Sequence, residues 1–322
     1  MSWGAIFPGQ GSQSQGMGKF LYENFKKARL HFEEASDALS MDFKKLCFEG
    51  SEEELQLTQN TQPALLLVST STFEVIRELS DFRPTASAGH SIGEYAALVT
   101  SGVVPFAEAL NAVRTRGLAM QESVPVGEGG MCAVMGLSDA QVRELCTWVE
   151  TESGLKPLEP ANFNSPGQVV ISGSAKAISW LQTNFKKEAL KDPTIKARFI
   201  PLKVSAPFHC SLMKPAEDKM RRVLTAIPFQ DALSPIVQNF TAQPTSQAGS
   251  LRENVIRQIS APVLWTQCIE KMRDLGITRL IEFGSGKVLA GLVKKIDSER
   301  LQTFNLNSLD EVKALENMLE SS

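Results

Sequence analysis

Short apolar runs alternate with longer segments of helical periodicity along the chain, which is the pattern of an α/β protein. The first run, Trp3–Phe7, predicts a buried strand that ends at Pro8 and enters a glycine-rich loop over residues 9–18. Pro63 suits the first turn of a helix. In the first 125 residues the pattern predicts a further strand at 85–88 and helices at 26–39, 52–57, 63–79, 93–100 and 105–122.

The order of the predicted elements changes between residues 124 and 204. There it reads strand, helix, strand, strand, helix, strand, which is typical of a ferredoxin-like unit with two helices on one face of a small sheet. We therefore predict a subdomain at 126–204, inserted into a larger domain made of 1–125 and 205–322. The elements of the subdomain are expected at 131–135, 138–149, 159–163, 168–172, 175–190 and 197–204. The second half of the larger domain is expected to hold strands at 236–240, 279–283 and 301–305 and helices at 251–259, 263–275, 288–296 and 310–319.

Composition and charge narrow the function classes. With 43% hydrophobic and 21% charged residues, the 322-residue chain has the make-up of a soluble globular protein. A net charge of −3 does not suggest a nucleic-acid-binding surface. The longest apolar run, residues 64–68, is far shorter than the roughly 20 residues of a membrane span, and the N-terminus has no basic leader before an apolar core. We therefore expect a cytoplasmic protein without a membrane contact.

The five cysteines and three histidines do not indicate a metal site. The cysteines are scattered and never form a C-x-x-C pair, so neither a disulfide framework nor a zinc site is expected. No two of the histidines have metal-ligand spacing on a helix.

The stretch GHSIGEYAAL, residues 89–98, places a serine between two glycines directly before a predicted helix. A serine hydroxyl needs a nearby base, a backbone that exposes it, and donors for the oxyanion that forms when it attacks a carbonyl. Gly89 and Gly93 permit a sharp strand-to-helix turn that exposes Ser91 and directs the N–H of Ile92 toward the reacting carbonyl. The alternative is an ordinary turn or capping serine, because G-x-S-x-G alone is a weak signal.

Three histidines are available as a base for Ser91. Neighbouring side chains diverge on a sharp turn, so His90 is expected to have a packing or supporting role. His31 lies in the charged helical segment RLHFEEA and is interpreted as a surface residue. His209 follows a predicted strand end and a proline turn in VSAPFHCSLM, a place where rigid scaffolds display catalytic groups. The alternative for His209 is a half-buried imidazole with satisfied hydrogen bonds.

Gln10 and Arg116 are further candidates. The segment FPGQGSQSQGMG lacks G-x-G-x-x-G and a following G-K-[ST], and FGSGKVL near the C-terminus fails similarly, so neither matches a phosphate-binding loop. Gln10 offers an amide as a second oxyanion donor, although it equally fits a polar loop residue. Arg116 lies among apolar residues of a predicted helix with no paired acid evident, so an inward guanidinium could bind a substrate carboxylate. A distant ion pair or a surface position is the alternative for Arg116.

Taken together, seven segments resemble the malonyl-CoA:acyl carrier protein transacylase family, in its order and at similar spacing. They are FPGQGSQ (7–13), TQPAL (61–65), GHSIGEYAAL (89–98), RG (116–117), NFNSPGQVVISG (162–173), VSAPFHCSLM (204–213) and EFGSGKVLAGL (282–292). The resemblance implies an α/β-hydrolase-like core with an inserted ferredoxin-like subdomain. It also implies transfer of the malonyl group from malonyl-CoA to the phosphopantetheine thiol of acyl carrier protein, in fatty acid biosynthesis.

The resemblance also implies the roles of individual residues. Ser91 would be the acyl-carrying nucleophile, and His209 the base and later the acid. Arg116 would bind the malonyl carboxylate, while Gln10 and the N–H of Ile92 would form the oxyanion hole.

In this family a backbone carbonyl near a glutamine orients the histidine, and the matching position is Gln258. Phe208 and Ile92 resemble the pattern of malonyl rather than methylmalonyl users. An acidic carrier protein is expected to dock on basic residues near the cleft, such as Lys186 and Lys187. A monomer without metal or cofactor is expected, because CoA enters as part of the substrate.

Two other functions remain open at this point. A serine hydrolase, either an esterase or a thioesterase, would use the same serine and histidine. A carrier-protein docking module without catalysis would keep the fold, although the set of Ser91, His209, Arg116 and Gln10 argues against it.

Overall fold

The structure is a computed structural model that describes residues 2–190 and 196–320. Within these residues the strands are β1 (Trp3–Phe7), β2 (Ala86–Gly89), β3 (Gly129–Met135), β4 (Leu158–Ser165), β5 (Gln168–Ser174), β6 (Arg198–Pro201), β7 (Ile236–Val237), β8 (Pro244–Thr245), β9 (Arg279–Glu282) and β10 (Gln302–Asn305). The first helices are α1 (Lys19–Asn24), α2 (Lys26–Leu39), α3 (Phe43–Glu49), α4 (Glu52–Gln56), α5 (Thr58–Ser80), α6 (Gly93–Thr100) and α7 (Phe106–Glu122). They are followed by α8 (Asp139–Ser153), α9 (Ala175–Asn184), α10 (Lys214–Ala226), α11 (Ala248–Arg257), α12 (Trp265–Asp274), α13 (Val288–Asp297) and α14 (Leu309–Glu320).

The larger sheet has six strands in the order β10-β9-β1-β2-β7-β8. Its pairs are parallel except for the antiparallel pair of β7 and β8. Strand β1 is buried along its whole length because helices cover both faces of the sheet. Ala5 and Phe7 face the core that contains residues of α5, and Ile6 faces the core that contains residues of α12 and α13. Because β1, β2 and β7 run parallel, their carboxyl ends lie at the same edge of the sheet.

The smaller sheet has four antiparallel strands in the order β4-β5-β3-β6. Residues of α8 and α9 share a separate hydrophobic core with this sheet. The chain is thus an α/β protein with two sheets and many helices. The boundaries of the subdomain at 126 and 204 stay a prediction, and residues 191–195 of that range lie outside the described residues.

A backbone contact joins β4 to the larger unit. The N–H of Phe163 donates to the Val263 carbonyl (2.9 Å), and the N–H of Val263 donates to the Ala161 carbonyl (2.8 Å). The side chain of Thr266 donates to the carbonyl of Phe163 (3.1 Å). Strand β4 also contacts the turn between β2 and α6, where Nε2 of His90 lies 2.8 Å from Oδ1 of Asn164.

The prediction that Pro63 lies in a first helical turn is wrong, since α5 begins at Thr58. A proline cannot donate to the carbonyl four residues before it, which here belongs to Gln59. Arg114 of α7 donates to that carbonyl (2.9 Å) and to Oδ1 of Asn60 (2.6 Å). Because this tertiary contact satisfies the freed acceptor, the helix continues through the proline.

The prediction that His31 is a surface residue is also wrong. Its ring is half-buried and stacks on Phe106, with 5.0 Å between the ring centroids. Burial, together with the positive charges of Lys27 and Arg77, lowers the pKa of His31 to about 4. The ring therefore contacts α7 through Phe106, and its Nδ1 lies 3.5 Å from Oγ of Ser71 on α5.

Several predicted bounds also change. Helix α9 ends at Asn184 and is followed by a 3₁₀ turn at Lys187–Leu190, instead of continuing to residue 190. Strands β6 and β7 are shorter than expected, and helices α1, α3 and α10 were not predicted. In the described part of the chain, no helix has both the length and the apolar composition that crossing a bilayer requires.

Candidate active site

Ser91 occupies a strained turn between β2 and α6. Its φ of 52° lies in the left-handed region, which costs a residue with a side chain about 1–2 kcal/mol. A Cβ on Gly89 would lie 2.0 Å from the carbonyl carbon of Gly93, and a Cβ on Gly93 would lie 2.1 Å from the Phe7 carbonyl oxygen. Only glycine fits at either position, so the G-x-S-x-G spacing follows from close packing of strand, turn and helix.

The imidazole of His209 contacts the serine hydroxyl. Nε2 of His209 lies 2.7 Å from Oγ of Ser91, and Nδ1 lies 2.9 Å from the backbone carbonyl of Gln258. A carbonyl only accepts, so Nδ1 carries the proton and Nε2 is free to accept from the serine. This arrangement provides a base whose tautomer is fixed by a backbone carbonyl instead of a carboxylate.

His209 is neutral in this environment. Its side chain is 3% exposed. Burial is the main cause that lowers its pKa to about 3, and the positive charge of Arg116 lowers it further, while the carbonyl of Gln258 opposes the shift. A neutral imidazole can accept a proton at neutral pH, which is the state that a general base requires.

Arg116 points inward and is 1% exposed, which decides between the two positions left open by the sequence. Its Nη1 donates to Oε1 of Gln62 (2.9 Å). Its Nη2 donates to Oε1 of Gln258 (2.9 Å) and to Oγ of Ser91 (3.1 Å). In the described residues no carboxylate hydrogen-bonds to this guanidinium. A buried cation held by neutral oxygens beside the hydroxyl of Ser91 is suited to an anionic ligand.

A group of buried polar side chains lies beneath Ser91. Oδ1 of Asn239 accepts the N–H of Ser91 (2.7 Å), and Nδ2 donates to the Gly89 carbonyl (2.7 Å). The amide of Gln258 donates to the Ser91 carbonyl (3.0 Å) and to Glu94 (3.1 Å). Glu94 also accepts the N–H of Asn239 (2.8 Å). Burial raises the pKa of Glu94, and these hydrogen bonds oppose the shift. The network fixes the turn that carries Ser91.

These groups face a cavity of about 110 Å³. It is lined by Gln10, Gln62, His90, Ser91, Ile92, Arg116, Met120, Met131, Asn162, Leu202, Val204, Phe208 and His209. The amide of Gln10 donates to Oγ1 of Thr58 at a long 3.4 Å, and no hydrogen bond between described residues uses the N–H of Ile92. A cavity of about 630 Å³ beside Phe73 and Leu233 is larger, but it contains none of the predicted site residues. The smaller cavity is therefore the candidate active site.

His90 does not contact the serine hydroxyl. Its Nε2 lies 2.8 Å from Oδ1 of Asn164 on β4, and its ring packs against Trp265 with 5.5 Å between centroids. This matches the packing role expected from the sequence.

A carboxylate of the protein itself occupies the start of α13, after the glycine-rich loop. The carboxylate of Glu282 accepts the N–H groups of Leu289 (3.0 Å) and Ala290 (2.8 Å) at the start of that helix. These two N–H groups are therefore not available to a phosphate, which agrees with the missing phosphate-loop motif. In the described part of the chain, no three metal-binding side chains are grouped.

Six residues were given catalytic or substrate-binding roles from the sequence. Five of them line the cavity, namely Gln10, Ser91, Ile92, Arg116 and His209. The sixth, Gln258, contacts Arg116. No role was predicted from the sequence for Gln62, Glu94 or Asn239. Gln62 lies in the TQPAL segment and Glu94 follows the G-x-S-x-G segment, so their place in these motifs was a usable signal. Asn239 is the second residue after β7, and polar residues at the carboxyl ends of parallel strands often meet at a site.

Comparison with known proteins agrees with this geometry. The family model described as acyl transferase domain matches residues 5–298. The chain is 44% identical over 299 residues to the malonyl CoA-acyl carrier protein transacylase of Bacillus subtilis (strain 168), covering 93% of this chain and 91% of that protein.

Solved structures give the same result. The acyl-carrier-protein S-malonyltransferase of Burkholderia pseudomallei 1710b superimposes with a TM-score of 0.91 at 38% identity, covering 98% of this chain and all of that one. A malonyl-transacylase solved in complex with its type II polyketide-synthase acyl-carrier protein gives a TM-score of 0.91 at 39% identity, covering 100% of both chains. A serine and a histidine in hydrogen-bond contact, within a fold and sequence shared with these enzymes, place the chain in the acyl transferase domain family.

Proposed function

We propose that this chain transfers the malonyl group of malonyl-CoA to the phosphopantetheine thiol of acyl carrier protein, through a malonyl ester on Ser91. The observation that carries the proposal is the pairing of a 2.7 Å contact between Ser91 and His209 with a buried guanidinium 3.1 Å from the same hydroxyl. The names of the relatives support this substrate and acceptor. We further propose an α/β-hydrolase-like core with a ferredoxin-like subdomain, which the strand orders of the two sheets support.

In the first half of the reaction, Ser91 attacks the thioester carbonyl of malonyl-CoA. Nε2 of His209 takes the hydroxyl proton as the oxygen–carbon bond forms. The negative charge on the carbonyl oxygen is stabilised by the N–H of Ile92 and the amide of Gln10. The carbon–sulfur bond then breaks, His209 returns the proton to sulfur, and CoA leaves as a thiol.

The charge of Arg116 links substrate binding to the strength of the base. In the free protein, the positive charge of Arg116 is the second cause of the lowered pKa of His209. A malonyl carboxylate bound to Arg116 would offset that charge and raise the pKa of His209 toward the operating pH. The base therefore becomes stronger when the acyl group carries a carboxylate, and the histidinium that forms in the transition state is less disfavoured.

In the second half, the phosphopantetheine thiol occupies the place that CoA has left. His209 accepts the thiol proton, sulfur attacks the ester carbonyl, and the proton passes to Oγ as the ester bond breaks. Water would attack the same ester, and the small cavity, with Met120, Met131 and Phe208 on its walls, limits the room for it.

Acyl carrier protein is the proposed partner, and fatty acid biosynthesis the proposed pathway. The exposed Lys186 and Lys187 offer positive charge for an acidic carrier protein. A Lys186→Glu, Lys187→Glu double variant should weaken carrier binding and its dependence on salt without changing acylation of Ser91 by malonyl-CoA. We expect a cytoplasmic monomer that needs no resident cofactor.

The test is to incubate the protein with malonyl-CoA and holo acyl carrier protein and to measure malonyl-carrier protein and free malonate separately. We expect the malonyl group to accumulate on the carrier protein. Rapid release of malonate without transfer would instead identify a thioesterase, and would overturn the proposal.

A further inference from the structure

Gln62 belongs to the same cavity and has a fixed amide orientation. Its side chain is 1% exposed, and its Oε1 accepts from Nη1 of Arg116 (2.9 Å). A guanidinium only donates hydrogen bonds, so the oxygen of the amide has to face Arg116. The NH₂ group of Gln62 therefore occupies the other end of the planar amide.

That NH₂ group has no oxygen acceptor among the described residues. Its contact is the thioether sulfur of Met120, 3.9 Å from Nε2, and a thioether is a weak acceptor. Nε of Arg116 is likewise buried without a partner. A buried donor with no acceptor, or with only a weak one, is unfavourable, so two such donors on residues that line one small cavity indicate a ligand that supplies acceptors.

The class of ligand follows from the donors. The polar atoms of Gln62 and Arg116 that have no good partner are all N–H donors, and the guanidinium adds a positive charge. The complementary group is therefore an anion with at least two acceptor oxygens. The cavity of about 110 Å³ also contains the nucleophile, which leaves room for a short acyl chain. A carboxylate at the end of that chain fits these constraints.

We propose that Gln62 donates an N–H to the carboxylate of the acyl group that Arg116 also binds, and that it is a specificity-determining residue for carboxylated acyl groups. This inference rests on the proposed function. A neutral acyl group of the same length, such as acetyl, would leave the NH₂ group of Gln62 without an acceptor. Gln62 therefore contributes to selection by its own hydrogen bond as well as by holding Arg116.

The experiment is a double-mutant cycle with Gln62→Met and Arg116→Ala, in which Ser91 acylation by malonyl-CoA and by acetyl-CoA is measured for all four proteins. A lost hydrogen bond to a charged group predicts a decrease of about 10- to 100-fold in the malonyl-to-acetyl ratio of kcat/KM for Gln62→Met. In the Arg116→Ala background, Gln62→Met should lower the ratio again, by about 3-fold or more.

Each outcome decides the inference. No further decrease in the Arg116→Ala background would mean that Gln62 acts only by holding the arginine, and would overturn it. An unchanged ratio for Gln62→Met in the wild-type background would overturn it too. If wild-type Ser91 is not acylated by malonyl-CoA at all, the proposed function fails instead.

Two further variants guard against effects on folding. Gln59→Met, on the same helix but outside the cavity, should leave the ratio unchanged. Gln62→Asn shortens the side chain and withdraws the donor, so it should lower the ratio in the same direction if Gln62→Met does not fold. Thermal unfolding of each variant confirms that folded proteins are compared.

Discussion

Asn239 offers the sharpest test of how the nucleophile is positioned. Asn239→Ala removes the acceptor of the Ser91 N–H and the donor to the Gly89 carbonyl, two hydrogen bonds of 2.7 Å. Each buried backbone group left unpaired costs about 1–3 kcal/mol, so the free energy of unfolding should fall by about 2–6 kcal/mol. A water molecule in the vacated space would relieve part of this cost, which places the expected loss near the lower end of that range.

The same variant should slow acylation. Without Asn239 the left-handed turn at Ser91, which costs about 1–2 kcal/mol, loses two of the contacts that maintain it. A displacement of the hydroxyl from Nε2 of His209 by about 1 Å can reduce a rate about 100-fold, so we expect acylation to be about 10- to 100-fold slower. Reactions with malonyl-CoA that are quenched at successive times, followed by intact-protein mass measurement, give the acylation rate constant of the folded protein.

Asn305→Ala is the matched control for Asn239→Ala. Nδ2 of Asn305 donates to the buried carboxylate of Glu282 (2.9 Å), which does not contact Ser91. This variant should lose stability but keep the wild-type acylation rate. If folded Asn239→Ala also acylates at the wild-type rate, the network beneath Ser91 does not position the nucleophile, and the reasoning is refuted.

Four other predictions concern Gln10, Arg116 and the two histidines with lowered pKa values, His31 and His209. Gln10→Ala should slow acylation by about 10²- to 10³-fold if its amide stabilises the oxyanion, and a change below about 3-fold in the acylation rate would remove it from that role. Arg116→Ala should lower malonyl transfer far more than acetyl transfer, and equal losses in the two transfer assays would contradict a carboxylate contact. In the protein without substrate, the pKa of His209 is lowered from 6.5 to about 3, so the pH profile of kcat/KM for acylation should show no inflection near pH 6.5. An inflection there would show that His209 titrates normally. Because the pKa values of His31 and His209 are lowered in the folded protein, the unfolded chain takes up protons below about pH 6.5 before the folded chain does. Stability measured by thermal unfolding should therefore fall as the pH decreases from 6.5 toward 4. His31→Phe should make this dependence of stability on pH less steep.

Much of the fold is readable from local pattern. The bounds of β1, α2 and α6 agree with the sequence prediction. Strand β1 is a continuous apolar run that ends before Pro8, and Gly102 lies just after the end of α6. The start of α5 was misjudged because its carbonyl acceptor at Gln59 is satisfied by Arg114, which lies 55 residues later. A local rule for proline cannot include such a distant donor.

The candidate site also has parts that a local motif predicts and parts that depend on contacts between distant residues. Ser91 and its glycines are visible as a short motif, since close packing restricts the residue types locally. The motifs also indicated His209 and Arg116, although their contacts with Ser91 depend on chain folding over 118 and 25 residues. The free NH₂ group of Gln62 could not be predicted, because it depends on which atom of the amide faces Arg116 in three dimensions.

The central claim is that the hydroxyl of Ser91, deprotonated by His209, carries the malonyl group. The most direct measurement is the intact mass of the protein after brief exposure to malonyl-CoA, followed by peptide mapping. We predict one added malonyl group on the peptide that contains Ser91, none in Ser91→Ala, and much slower addition in His209→Ala. A malonyl group on another residue, or undiminished labelling of Ser91→Ala, would contradict the account.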